Sequence, residues 1–338
     1  DRIGPRPVVA GALLCVGASI SSTSLMTQPW QFILLFCVIG GLGYGSLAAP
    51  QASATIAQIF EQHRGLATGI ATSGASGGLL LMIPLLALLV EWAGWRAAFA
   101  GFGIFIMALA PVTWLLITPA SRSVHNAAGG GEAALTARLG LLCGNTTFWL
   151  LFFGFVLCGF TTSGVIEVHL IPYAMSCGYP RIESATALGV LSGANMCGMI
   201  LAGYLADKVN RPLLLGAIYF FRALSFLILM QITGNPELLF LFAIMFGIFD
   251  YSTMPVLASL VSTHIGVRVM GLTLGLLFGG HSAGAAAGAF IGGYVFDNFQ
   301  SYDWVWIVSI GLAFLAAVLS WLIRETRGEE SAATPAAA

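Results

Sequence analysis

Long apolar runs joined by short polar connections dominate the chain. Ten runs reach the roughly 20 apolar residues that a helix needs to cross a hydrocarbon core of about 30 Å: 8–26, 31–59, 66–90, 97–117, 148–174, 185–205, 213–233, 237–262, 272–296 and 305–323. None shows the polar–apolar alternation of a membrane β-strand. A helix closes its backbone hydrogen bonds within one segment, as lipid requires, so the pattern predicts an all-α membrane protein. The longest interruption, 118–147, is polar and glycine-rich around Gly129-Gly130-Gly131 and predicts a flexible linker. The small, polar stretch 328–338 predicts a disordered tail.

Composition agrees with the pattern. Of 338 residues 58% are hydrophobic and 8% charged, against about 25% charged in soluble domains. Thirteen basic and fourteen acidic residues leave a net charge of -1, which offers no hold on nucleic acid. Six scattered cysteines, Cys15, Cys37, Cys143, Cys158, Cys177 and Cys197, show neither metal-ligand spacing nor a disulfide framework. The placement of positive charge sets orientation. Arg2, Arg6, Arg64, Arg122, Arg138, Lys208, Arg211, Arg268, Arg324 and Arg327 fall on one side of the predicted spans; only Arg96 and Arg181 fall on the other. The first side is expected to be cytoplasmic, with both ends of the chain there, in a multi-pass protein of the cell (inner) membrane.

The chain repeats itself at an offset of about 205 residues. Asp1-Arg2-Ile3-Gly4-Pro5-Arg6 recurs as Asp207-Lys208-Val209-Asn210-Arg211, Pro50 as Pro255, and Arg64 before Gly65 and Gly69 as Arg268 before Gly271 and Gly275. Parallel half-proteins of this kind are a transporter architecture. Asp1-Arg2-x-Gly4-x-Arg6 and Gly203-Tyr204-Leu205-Ala206-Asp207-Lys208-x-x-Arg211 resemble the two copies of the G-x-x-x-D-R-x-G-R-R motif of the major facilitator superfamily. The resemblance implies a two-lobe helical bundle of which ten of twelve transmembrane helices are present. Residue 1 then stands in the loop after helix two. Residues 1–117 would form an incomplete N-terminal lobe, 118–147 a cytoplasmic linker and 148–327 a six-helix C-terminal lobe. Asp1, Arg2, Gly4, Arg6, Gly203, Asp207, Lys208 and Arg211 would be gating-loop residues.

A narrower likeness lies in Phe148-Trp149, His169-Leu170-Ile171-Pro172-Tyr173-Ala174, Gly280-His281-Ser282-Ala283-Gly284 and Gly292-Gly293-Tyr294-x-Phe296-Asp297. These resemble the monocarboxylate-porter and oxalate/formate-antiporter-like branch, which implies a small organic anion as substrate. One departure stands out: the acidic–arginine constellation of the eighth helix in that branch has no counterpart in the charge-free span 185–205.

Gly271, Gly275 and Gly279, and then Gly280, Gly284, Gly288 and Gly292, recur every four residues along one predicted helix. Small residues at that spacing let another backbone approach closely, for static packing or for sliding. Charge inside a span marks function by default, which singles out Glu167, Arg222 and Asp250. Arg222 and Asp250 lie at depths differing by about 3 Å along successive antiparallel spans, counted at 1.5 Å per residue. They are open to an ion pair, structural or coupled to transport; Arg222 could alternatively grip a carboxylate. His169 and His281 could carry a coupling proton or simply join helices. Tyr44, Gln51, Tyr173, Asn195 and Tyr251 could orient a substrate or join helices.

The function expected is secondary transport of a small organic anion by alternating access, with proton coupling or exchange for another anion. No Walker sequence, cofactor motif or HExxH metal motif is present, so no enzyme activity, cofactor or metal is expected. The alternatives are a non-transporting solute sensor and a drug or other-solute efflux protein. The expected partners are substrate, proton or counter-anion and the lipid bilayer, for a monomeric protein.

Overall fold

Apolar runs without strand periodicity fold as helices throughout the region that the computed structural model describes, residues 5–47, 64–116, 135–266 and 269–325. We number them α1 (Pro5–Thr23), α2 (Pro29–Phe32), α3 (Gly41–Leu47), α4 (Arg64–Leu116), α5 (Leu135–Cys143), α6 (Thr146–Gly159), α7 (Glu167–Ser176), α8 (Arg181–Ala206), α9 (Arg211–Leu229), α10 (Pro236–Phe249), α11 (Thr253–His264), α12 (Met270–Phe299) and α13 (Asp303–Trp321). π-helical stretches Ile33–Gly40 and Phe160–Ile166 join α2 to α3 and α6 to α7. Nine helices among the described residues are long and apolar enough to span a membrane; the segment Pro29–Gly45 is shorter. The expected span 31–59 is therefore described only in its first part.

Three elements differ from expectation. Helix α4 covers two predicted spans and breaks at Gly94, whose φ of 78° lies in the region that favours glycine. The expected span 237–262 is broken between α10 and α11. Pro255 explains the break: it has no N–H to donate and its ring crowds the carbonyl four residues back, that of Tyr251. Residues 135–143 of the expected linker are helical.

The chain divides into two units, one of residues 1–51 and 82–132, the other of 52–81 and 133–338. In the first, α1 meets the second part of α4 where Gly17 and Gly103 bring the backbones close. Arg6 donates from Nε to the Trp114 carbonyl at 2.6 Å and lies 4.6 Å from that ring's centroid. In the second unit, α12 packs on α6 and on the π stretch that follows it, α8 on α10, and α9 on α13. Trp306, Phe155, Phe226, Phe242 and Phe246 are fully buried among them. Leu213, Leu224, Leu227 and Phe290 face outward, as lipid-facing side chains do when the surrounding solvent is itself apolar.

Candidate functional site

The break between α10 and α11 gathers a cluster of buried polar groups in the second unit. A broken helix frees backbone groups that lipid cannot satisfy, so the surrounding protein must supply partners. Arg222 of α9, fully buried, supplies most of them. Its Nε donates to the Phe249 carbonyl at 3.2 Å and its Nη2 to the same oxygen at 2.5 Å and to the Asp250 carbonyl. Its Nη1 reaches Cys158 Sγ at 2.9 Å. The rings of Tyr219 and Phe246 lie 5.2 and 5.9 Å from the guanidinium carbon. Asn195 of α8 secures the other side of the break, accepting from the Tyr251 amide at 3.1 Å and donating to Ser76 Oγ of α4 at 3.0 Å.

The ion pair expected of Arg222 and Asp250 does not form. Arg222 holds Asp250 by its backbone carbonyl, while the buried carboxylate oxygen Oδ1 has no hydrogen-bond partner among the described residues. The guanidinium is thus committed to the freed carbonyls and, being inaccessible, presents no fork to a solute in this arrangement. Span spacing placed the two residues at one depth, but it could not show which atoms would meet.

Glu167 is exposed at the start of α7. Its Oε1 accepts from the Tyr251 hydroxyl at 2.8 Å, and that hydroxyl also lies 2.6 Å from Ser163 Oγ. His281 is buried with its ring centroid 4.5 Å from that of Phe155, and its Nε2 is unpartnered among the described residues. His169 is different. Its Nε2 lies 3.1 Å from the Ala289 carbonyl and its Nδ1 3.4 Å from the Tyr302 hydroxyl, so both nitrogens join α7 to neighbouring helices. Tyr173 donates to the Leu229 carbonyl at 3.2 Å at the end of α9. Tyr44 is exposed in α3. Gln51 lies outside the described residues, as do Asp1, Arg2 and Gly4.

The second motif copy is described in full. Asp207 accepts the Gly65 and Leu66 amides at 2.9 and 3.0 Å, where the first turn of a helix leaves N–H groups without intrahelical acceptors. Gly203 makes this possible: a Cβ there would collide with the Gly65 carbonyl. Lys208 lies over the Tyr204 ring and donates to its hydroxyl. Arg211 pairs with Glu325 at 2.5 Å and donates from Nη1 to Thr263 Oγ1 at 2.6 Å.

The glycine row on α12 divides in two. A Cβ at Gly280 would meet the Phe152 ring, at Gly284 the Val156 carbonyl, at Gly288 the Phe160 carbonyl, and at Gly292 the His169 ring. A Cβ at Gly271, Gly275 or Gly279 would meet nothing within 4 Å. The packing face is narrower than the sequence spacing. Gly159 and Gly164 complete it from the α6 side, and Gly198 and Gly247 do the same between α8 and α10; none of these four stands in a four-residue glycine row, so the sequence spacing did not mark them. Gly74-Ala75-Ser76-Gly77-Gly78 and Gly280-His281-Ser282-Ala283-Gly284 both fit a G-x-S-x-G spacing, yet both lie within helices rather than at a strand-to-helix elbow that would expose a nucleophile.

Comparison with known proteins agrees with this architecture. The sequence pattern of the Major Facilitator Superfamily matches residues 1–277 and again 201–338. The chain is 28% identical over 326 residues to the uncharacterized MFS-type transporter YcxA of Bacillus subtilis, covering 94% of this chain and 79% of that protein. It is 26% identical over 328 residues to monocarboxylate transporter 12 of Xenopus laevis, covering 89% of this chain and 70% of the other. Among solved structures, the fucose:proton symporter FucP of E. coli superposes with a TM-score of 0.69 at 15% identity, covering 94% of this chain and 83% of that one. The human organic anion transporter MFSD10 superposes with a TM-score of 0.64 at 18% identity, over 94% and 77%.

Proposed function

The chain belongs to the Major Facilitator Superfamily, a multi-pass integral membrane protein of transporter fold, and from that premise we propose that it moves a small organic anion by secondary transport. The likeness to monocarboxylate transporter 12 over 89% of the chain carries the substrate class. Alternating access would move one lobe, residues 1–117, against the other, 148–327, with 118–147 as the connection between them and 328–338 as a tail. The Asp207 carboxylate on the Gly65 and Leu66 amides is then a closing latch. Losing such an acceptor from the first turn of a helix costs about 1–2 kcal/mol, enough to bias a conformation and little enough to release. The bias of Arg and Lys supports an orientation with both ends of the chain on the cytoplasmic side of the cell membrane. The transporting unit is a monomer, driven by a proton or by a counter-anion.

A second reading has its own observation. Glu167 is an exposed carboxylate within a spanning segment, whereas the Arg222 guanidinium is enclosed. An anionic lining suits a neutral or cationic solute, as in a drug-type efflux protein. Counterflow in proteoliposomes separates the readings, with radiolabelled L-lactate as probe. The anion reading expects trans-accelerated uptake that other monocarboxylates suppress and neutral sugars or organic cations leave unchanged. Counterflow of cationic or neutral probes alone would overturn it, and binding without counterflow would identify a solute sensor.

A further inference from the structure

The break between α10 and α11 encloses two oppositely ionisable groups that the fold does not pair with each other. Arg222 is fully buried and Asp250 is 2% exposed. The guanidinium is engaged by two backbone carbonyls and a thiol, and the carboxyl oxygen Oδ1 has no donor among the described residues. An ionised carboxylate without donors in such surroundings is heavily penalised, whereas a neutral carboxyl is tolerated. A guanidinium keeps its charge at any working pH and gains from a nearby anion. The same pair therefore has two internally consistent states that differ by one proton.

We propose that Asp250 is the proton-binding residue of this protein, protonated and unpaired in the arrangement seen, and joined to Arg222 by an ion pair once the proton leaves. Proton release creates the carboxylate that competes with the Phe249 and Asp250 carbonyls for the guanidinium. Those carbonyls hold the bend between α10 and α11, so the charge of one side chain acts on the path of a spanning helix. Glu167 is the exposed carboxylate of the cluster, and Tyr251, next in sequence to Asp250, hydrogen-bonds it.

The groups around Asp250 come from every helix packed on the break. α6 contributes Cys158 and α7 Glu167, both within electrostatic reach of the carboxyl. α9 contributes Arg222 and Tyr219, α12 His281, whose ring centroid lies 6.3 Å from that of Tyr251, and α8 the uncharged Asn195. His281 is the rival proton site, since its Nε2 is also buried without a partner. It differs in standing on an unbroken helix, where a change of charge meets no clamp to release. The two carboxylates and the histidine are therefore separable by substitution.

This inference rests on proton coupling within the transport reading, so its test uses no substrate. Infrared spectra of the purified full chain in detergent would be recorded between pH 5 and 8. The expected result is a protonated-carboxyl band at pH 7 that Asp250→Asn abolishes and that Glu167→Gln and His281→Gln leave in place. Should Asp250→Asn not fold, Asp250→Glu keeps a titratable group and is expected to shift the band rather than remove it. A wild-type protein without the band at pH 7, or a band that survives Asp250→Asn or stays unshifted in Asp250→Glu, overturns the proposal. Failure of lactate counterflow would defeat the substrate reading and leave the infrared result standing.

Discussion

Adding one methyl group at two glycines of α12 tests the packing argument directly. Gly275 and Gly284 each stand in a four-residue row of α12, 271–279 and 280–292, yet a Cβ at Gly275 meets nothing within 4 Å. One at Gly284 collides with the Val156 carbonyl and lies 3.2 Å from the Phe160 nitrogen. Both substitutions by Ala gain about 1 kcal/mol of helix propensity. At Gly284 the obstructing atoms are backbone and cannot rotate aside, so α6 and α12 must separate. Overpacking of this kind costs roughly 1–3 kcal/mol. Gly275→Ala is thus expected to be neutral or stabilising, and Gly284→Ala less stable than it by about 1–3 kcal/mol. For a chain of this size that corresponds to a difference in apparent Tm of the order of 5 °C, measurable by following the monodisperse fraction in detergent after heating. Equal shifts for the two variants would refute the reasoning, because they would mean that the close approach of α6 and α12 is absent in the protein or readily relaxed.

Removing the Asp207 carboxylate in Asp207→Ala takes two acceptors from the start of α4, a loss of about 1–2 kcal/mol; hydrogen exchange at Gly65 and Leu66 should quicken by about tenfold, and unchanged protection would show that the latch is not held. Arg222→Lys keeps the charge but not the fork, so three groups now bound by one guanidinium compete for a single ammonium. Thermal stability should fall by about 3 kcal/mol or more, and a lysine variant as stable as wild type would contradict the clamp. Glu325→Gln leaves Arg211, 6% exposed in its side chain, without its anion; a loss of about 1–3 kcal/mol is expected in detergent. Burial, and then the nearby Asp297, hold the Tyr302 phenol above the ordinary tyrosine value. Its contribution to stability is complete below about pH 10, where the unfolded phenol titrates, and is lost as pH rises through the folded value. Tyr302→Phe should remove that alkaline loss, and heating scans of both proteins from pH 8 to 11 would check it.

Much of the architecture was legible because a bilayer tolerates few solutions. Helical spans, their approximate limits and the scarcity of internal charge are one-dimensional properties, and Pro255 even marks the place where a span breaks. The second copy of the motif was readable as a unit, although its members act separately. Asp207 caps a helix distant in sequence, Gly203 admits that helix, and Arg211 answers to Glu325. His169 and His281 looked alike in sequence and differ in the structure, one joined at both nitrogens and the other not.

The sequence by itself determined that this chain crosses a membrane as helices, because hydropathy over some twenty residues and the need to satisfy every backbone group in lipid are local constraints. It also singled out three charges within its predicted spans, Glu167, Arg222 and Asp250. Only the tertiary structure decided what those charges do. Arg222 reaches the Phe249 and Asp250 carbonyls instead of the Asp250 carboxylate because the helix breaks at those residues and α9 passes beside the break. Gly284 and Gly288 of α12 face a backbone, while Gly271, Gly275 and Gly279 face none, because α6 and the π stretch after it lie on one side only. Depth along a helix can be counted from sequence, but rotation about its axis and the identity of its neighbour are settled by packing.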